Sequence, residues 1–330
     1  MENILLIRLK SIGDVVLTLP AVHAVRENFP SAKITFLTSK ENAPLLAGFR
    51  EVNQVIELDR TALRSGNPLK MAGEFFGLLR QLRAGKFSIV VDFQGYGETA
   101  WLALLTGAPQ RWGSVYGPGR AWAYTRGIRR TDGLHLADWN LSLLEQCGLK
   151  IGEIKNEFVL PGDARDGAKK FFFEQKLDVS RPTLFIQPFT SSPQKNWPLT
   201  NFLTLARYFQ SQGAQIIFSG GPSERAALEP ARAAGFPISA GMPLLTAAGL
   251  MRLSTVIVGG VTGLLHLAVA MQKRVVMLVA VPATEPGLPY QHTDWIVTAA
   301  GGVALSEMEP KAVVAACVRA FGEAAGHASC

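Results

Sequence analysis

One carboxylate near the start of the chain stands where an α/β sheet carries out its chemistry. An apolar run, Ile4-Leu5-Leu6-Ile7, leads through Arg8-Leu9-Lys10-Ser11-Ile12-Gly13 to Asp14, and Val15-Val16-Leu17-Thr18-Leu19-Pro20-Ala21-Val22 follows. A strand that passes through a glycine turn into a helix sets backbone N–H groups and Asp14 at the carboxyl edge of a sheet. Open α/β sheets bind their ligands at that edge. Two roles fit Asp14 from this window: a helix cap, or a carboxylate that takes a proton.

Three segments in the second half offer groups suited to phosphate. After the apolar run Leu184-Phe185-Ile186-Gln187, one loop gathers Thr190, Ser191, Ser192 and Lys195, and Pro198 suits the first turn of the next helix. Hydroxyls and a point charge are what a diphosphate needs. Phe218-Ser219-Gly220-Gly221-Pro222-Ser223-Glu224 ends a strand, and Glu224 fits either as an acceptor for ribose hydroxyls or as an acid favoured at a helix start. In Val258-Gly259-Gly260-Val261-Thr262-Gly263-Leu264-Leu265-His266, Thr262 with the amides of Gly263 and Leu264 forms an anion pocket on a helix dipole. His266, one turn later, fits as a loop contact or as a satisfied core histidine.

Elements that position these groups alternate along all 330 residues. Buried-strand patterns fall at 4–8, 34–37, 52–58, 87–93 and 111–115, then at 183–187, 215–219, 255–259 and 274–280. Helical patterns include 69–82, 135–147, 201–211, 223–234, 244–253, 263–271 and 310–323. This order predicts two doubly wound, Rossmann-like α/β domains, 1–160 and 161–330, facing each other across a cleft, joined through a linker within 150–182. The final helix is expected to pack back onto the first domain.

Composition narrows the setting. Cys147, Cys317 and Cys330 are far apart and odd in number, which argues for a reducing compartment and against a disulfide frame or zinc site. Arg8, Lys10 and Asp14 interrupt the first apolar run too soon for a signal peptide, and no run has the length of a membrane span. A cytoplasmic protein is expected. The formal charge of +7 is concentrated: residues 60–130 hold eleven basic residues against Glu74, Asp92 and Glu98. Such a surface suits phosphates of a nucleotide or an anionic membrane, or is solvation alone. Nucleic acid is not expected, because aromatic–basic alternation and binding modules are absent from this stretch.

Taken together, the ordered motifs resemble glycosyltransferase family 9, the heptosyltransferase family of lipopolysaccharide core assembly. They are Ile7-Arg8-Leu9 through Gly13-Asp14-Val15-Val16-Leu17-Thr18-Leu19-Pro20-Ala21, Val91-Asp92-Phe93-Gln94-Gly95, and Thr106-Gly107-Ala108-Pro109. Lys195-Asn196-Trp197-Pro198, Gly220-Gly221-Pro222-Ser223-Glu224, and Thr262-Gly263 with His266-Leu267-Ala268 continue the series. The resemblance implies the GT-B architecture and inverting transfer of heptose from an ADP-heptose donor, with no metal and no cofactor beyond that co-substrate. It implies Asp14 as the general base. Thr190, Ser191, Lys195, Glu224, Val261, Thr262, Gly263 and His266 become the nucleotide-sugar residues.

Gly13, Arg60, Arg64 and Arg120 are the acceptor-side candidates, for an anionic Kdo–lipid A glycolipid met in transient contact with the inner leaflet. One residue departs from the family pattern. Many members carry an acid directly before the Thr-Gly pair, where this chain has Val261. The alternatives this leaves are a transferase that uses a different nucleotide sugar for another surface glycan or glycoprotein, a sugar contact supplied by another residue, or a nucleotide-binding GT-B protein without turnover. Loss of one polar sugar contact costs on the order of 1–3 kcal/mol, enough to change donor choice without abolishing catalysis.

Overall fold

The computed structural model describes residues 2–280, 287–299 and 304–327, without the side chains of residues 118, 120 and 325–327. The chain forms two units, Met1–Val159 and Leu160–Cys330. In the first, β1 (Asn3–Ile7), α1 (Ile12–Val16), α2 (Leu19–Asn28), β2 (Lys33–Ser39), β3 (Gln54–Leu58), α3 (Arg60–Leu63) and α4 (Pro68–Ala84) come first. Then follow β4 (Ile89–Asp92), α5 (Gly97–Leu105), β5 (Gln110–Val115), β6 (Arg126–Arg129) and α6 (Leu136–Gln146). The six strands lie in the order β3-β2-β1-β4-β5-β6, and all pair in parallel. This is the Rossmann order, whose direction reverses between β1 and β4.

The second unit holds α7 (Gly162–Glu174), β7 (Thr183–Gln187), α8 (Leu199–Ser211), β8 (Gln215–Phe218), α9 (Glu229–Ala233) and α10 (Leu244–Leu253). It ends with β9 (Val256–Gly260), α11 (Gly263–Ala270), β10 (Val275–Val279), β11 (Ile296–Thr298) and α12 (Pro310–His327). Its parallel sheet runs β11-β10-β9-β7-β8, the second common doubly wound order, with its reversal between β7 and β9. α12 packs on α8, β9, β10 and β11.

The strands read as near-continuous apolar runs because helices cover both faces. Ile4, Leu5, Leu6 and Ile7 of β1 and Val275, Met277 and Leu278 of β10 are all buried. Each fully buried side chain of this size contributes about 1.5–3 kcal/mol. β6 and β11 escape the apolar pattern because they are edge strands left partly in water: Arg126-Gly127-Ile128-Arg129 is mostly exposed, and β11 has three residues, none fully buried. The helix expected over 223–234 is broken into a 3₁₀ turn, Pro222–Glu224, and α9, where Pro230 fits the first helical turn. The linker expected across 150–182 contains α7, which packs on α10 within the second unit. Among the described residues, no helix is long and apolar enough to cross a membrane.

Candidate active site

Asp14 occupies the third position of α1, one turn past β1, at the point where the first sheet reverses direction. Its Oδ2 accepts from the Ser11 N–H at 3.1 Å and from Arg8 Nη2 at 2.5 Å. No hydrogen bond to Oδ1 occurs among the described residues, and the side chain is about one-third exposed. The cap and the proton acceptor are therefore compatible: one oxygen caps, and the other is open.

Arg8 is buried at 4% exposure and fully engaged. Its Nη1 donates to the Phe93 carbonyl at 2.8 Å and its Nε to the Lys10 carbonyl at 3.1 Å. The loop it braces is also held by Gln94, whose Oε1 accepts from the N–H groups of Leu9 (3.0 Å) and Lys10 (3.2 Å). Asn42 Nδ2 donates to the Leu9 carbonyl at 2.9 Å. Such bracing fixes a reacting group within a fraction of an ångström.

Asp92 shapes the neighbouring turn. It is fully buried and accepts from Tyr124 Oη (2.6 Å), Gln94 N–H (2.9 Å) and Gly95 N–H (3.0 Å). Burial pushes its carboxyl above the usual carboxylate range, and these hydrogen bonds oppose the shift. Gly95 is required here: its φ is +69°, and a Cβ would stand 2.1 Å from the Ser114 carbonyl oxygen.

The phosphate-type residues gather at the reversal of the second sheet. Gln187 at the end of β7 pairs with Gly259 of β9, so the loops after both strands are neighbours. A Cβ on Gly260 would stand 2.6 Å from Thr190 Cγ2 and 3.2 Å from the Lys195 carbonyl oxygen. This close approach requires glycine and sets the Thr190–Lys195 loop against the turn that leads to Thr262.

Within that loop Thr190 Oγ1 donates to the Ser192 carbonyl at 2.7 Å, and Asn196 Oδ1 accepts from the Thr190 N–H at 2.8 Å. Trp197 anchors it from below, buried against Phe202 and donating from Nε1 to the Met308 carbonyl at 2.7 Å. Ser191 and Lys195 are exposed.

Thr262 is the N-cap of α11, its Oγ1 3.4 Å from the Leu265 N–H. The amides of Gly263 and Leu264 precede the first intrahelical bonds and remain as donors for an anion. Val261 is half-buried beside Gly287, and His266 is buried within α11. Gln187 Oε1 is a buried acceptor with no hydrogen-bond partner among the described residues, at this same edge.

The remaining candidates have surroundings of their own. Glu224 turns back on its own loop, with Oε2 accepting from the Gly221 N–H at 2.7 Å. Arg60 is engaged by Glu98 of α5, at 3.1 Å and 3.3 Å. Arg64 is exposed at the end of α3, Gly13 is buried inside α1, and the side chain of Arg120 lies outside the described residues. Burial pushes the thiols of Cys147 and Cys317 up to about 11 and about 12, which holds both protonated at neutral pH. Arg8, Gln94, Asn42 and Gln187 are site residues that spacing did not single out. Arg8 and Gln94 nevertheless lie inside the quoted motifs.

The sequence pattern of "Glycosyltransferase family 9 (heptosyltransferase)" matches residues 75–304. Lipopolysaccharide heptosyltransferase 3 of Escherichia coli strain K12 is 25% identical over 64% of this chain and 61% of its own length. The chain thus spans about three fifths of that relative. A family 9 glycosyl transferase from Veillonella parvula superposes with a TM-score of 0.87 at 20% identity, covering 98% of this chain and 97% of that one. E. coli heptosyltransferase WaaC, solved with ADP, gives 0.79 at 21% identity, over 96% and 99% of the two chains. Likeness at such identities shows a common fold, the GT-B architecture.

Proposed function

Because the chain belongs to glycosyltransferase family 9, the heptosyltransferase family, we propose that it transfers a heptose from ADP-heptose to an inner-core lipopolysaccharide acceptor of Kdo–lipid A type. The observation that carries this reading is the placement of the candidate groups. Asp14 with its open Oδ1 stands at the reversal of the first sheet, and the Lys195 loop and the α11 N-terminus stand together at the reversal of the second.

In the proposed reaction an acceptor hydroxyl attacks the anomeric carbon from the face opposite the leaving group, which inverts configuration. The bond from that carbon to the ADP oxygen breaks as the new C–O bond forms, and the hydroxyl proton passes to Asp14 Oδ1. An alcohol is far less acidic than a carboxylic acid, so proton transfer accompanies bond formation rather than preceding it. Lys195 and the Gly263 and Leu264 amides balance the charge that develops on the departing diphosphate. Ser191 and Thr262 bind its oxygens, Thr190 holds the turn that presents Ser191 and Lys195 through its bonds to Ser192, and Glu224 Oε1 accepts from ribose. No metal takes part in this reading.

Val261 supports a second donor. A valine offers no hydrogen bond to a sugar hydroxyl, which favours a sugar other than the usual heptose. Membrane contact in this reading uses α4, whose outer face carries Leu69 (85% exposed) and Phe76 (64% exposed) beside Lys70, Arg80 and Arg83. The test is turnover of ADP-heptose with and without purified Kdo–lipid A, alongside a panel of other nucleotide sugars. Acceptor-dependent ADP release with ADP-heptose is the expected result. Release only with another donor selects the second reading, and release with none sinks both.

A further inference from the structure

Four neighbouring strands of the first sheet each lead at their carboxyl end to a residue that the reaction above leaves unused. They are Lys10 after β1, Tyr96 after β4, Tyr116 after β5 and Arg130 after β6. Adjacent strands lie about 4.8 Å apart, so the row spans roughly 14 Å, the length of a short oligosaccharide. The tyrosine rings are 5.6 Å apart at a 42° tilt, and the residues are 40% and 43% exposed. Lys10 Nζ stands 5.8 Å from the centre of the Tyr96 ring. The Arg130 guanidinium stands 5.4 Å from the centre of Tyr116 and donates to its Oη at 2.6 Å.

The pattern is cation, ring, ring, cation, and it borders Asp14. Lys10 belongs to the braced loop: its N–H is held by Gln94 and its carbonyl by Arg8, the same arginine that binds Asp14. A single exposed tyrosine needs no explanation, but a paired aromatic surface flanked by cations at a ligand-binding sheet edge does. Its chemistry matches a sugar ring bearing an anionic group. The apolar C–H face of such a ring lies on a tyrosine, and the cations take its carboxylate or phosphate. We propose that Lys10, Tyr96, Tyr116 and Arg130 form the subsite for an anionic sugar of the acceptor, next to the hydroxyl that Asp14 deprotonates. This inference rests on the transferase reading.

The experiment measures acceptor and donor KM separately in the full-length protein, using deacylated Kdo–lipid A. Tyr96→Ala and Tyr116→Ala are expected to raise acceptor KM by about tenfold and leave donor KM within about twofold, while Tyr→Phe at either position restores most of the loss. Lys10→Gln and Arg130→Gln are expected to erase the preference for that acceptor over its carboxyl-amidated form. If they instead erase only a preference over the dephosphorylated form, the anion bound is phosphate. Unchanged acceptor KM in all four variants overturns the subsite. If the wild type transfers to no acceptor, the transferase reading fails on its own, and calorimetry with free Kdo and glucose 1-phosphate decides the subsite. Binding of either that the Tyr96→Ala variant loses supports it, and no binding of either, or binding that survives, overturns it.

Discussion

Arg8 binds Asp14 through one oxygen and no other. Its Nη2 donates to Oδ2 at 2.5 Å, its Nη1 and Nε are taken by the Phe93 and Lys10 carbonyls, and Asp14 Oδ1 stays open. A carboxylate held on one side by a buried guanidinium keeps a fixed direction for its second oxygen. Proton acceptors need that direction as much as they need basicity.

Asp14→Asn retains the shape and the hold on the Ser11 amide but removes the proton acceptor. Transferase turnover should fall roughly 10²–10⁴-fold, with ADP affinity unchanged. Arg8→Gln leaves the carboxylate in place and releases its orientation, so kcat should fall while donor KM holds. Near-normal turnover in Asp14→Asn would make the carboxylate a cap alone.

On the nucleotide side, Lys195→Ala should weaken ADP-sugar binding and slow the departure of ADP, because one charge opposite the diphosphate is lost. Thr262→Val should mainly weaken binding, by about 1–2 kcal/mol for one hydrogen bond. Titration calorimetry with ADP and steady-state rates separate the two effects. Turnover should persist in EDTA; full inhibition restored by magnesium or manganese would require a metal in the mechanism.

Both sheets were legible in the sequence wherever strands are buried on two faces, because short continuous apolar runs bounded by turn residues mark strands covered on both sides. β6 was not, since Arg126 and Arg129 point its pattern toward water, and Pro230 hid the break before α9 inside an apparently helical run. Asp14 and Thr262 stood out because glycines mark the turns after their strands, and Lys195 because three hydroxyl residues share its loop. The hold of Arg8 on Asp14 spans six residues and could not be read from spacing. Nor could the tilted contact of Tyr96 with Tyr116, which follow two strands that are brought side by side by the folded sheet.

Leu69 and Phe76 lie seven residues apart on α4 and share its outer face. Burying one such side chain in a bilayer interface is worth up to about 1.5–3 kcal/mol. Leu69→Ser with Phe76→Ser should reduce co-sedimentation with anionic phospholipid vesicles by at least about tenfold while leaving the thermal midpoint unchanged. Binding by the native protein should weaken as salt rises, because Lys70, Arg80 and Arg83 contribute through screened attraction. Equal sedimentation of native and variant proteins would remove α4 from the membrane contact.

Lys273 gives the fold a pH dependence of its own. Burial, with repulsion from Arg252 added, lowers it from 10.5 to about 8. Below about pH 8 the folded protein carries the cost of a half-buried ammonium beside Arg252. Between about 8 and 10.5 the unfolded chain binds more protons at this residue than the folded one, so its contribution to stability rises with pH. Lys273→Met should therefore raise the thermal midpoint at pH 7, and the gain should shrink as pH passes 8. A gain that is constant from pH 7 to 10 would mean that the lysine is not strained by its charge.

Val261 sets donor choice if the turn before α11 faces the sugar. The side chain is half-buried, with Gly287 the neighbour whose Cβ would stand 3.2 Å from Val261 Cγ1. Val261→Asp places a carboxylate beside Thr262, where one hydrogen bond to a sugar hydroxyl is worth about 1–2 kcal/mol, or tens of fold in rate at most. Rates over a nucleotide-sugar panel should therefore redistribute toward donors with a hydroxyl in reach, without loss of ADP affinity. Thermal stability should change little, because a carboxylate at a half-buried turn keeps part of its hydration. If both proteins bind ADP and neither transfers or hydrolyses any sugar of the panel, the chain is a nucleotide-binding member of its family and not a transferase.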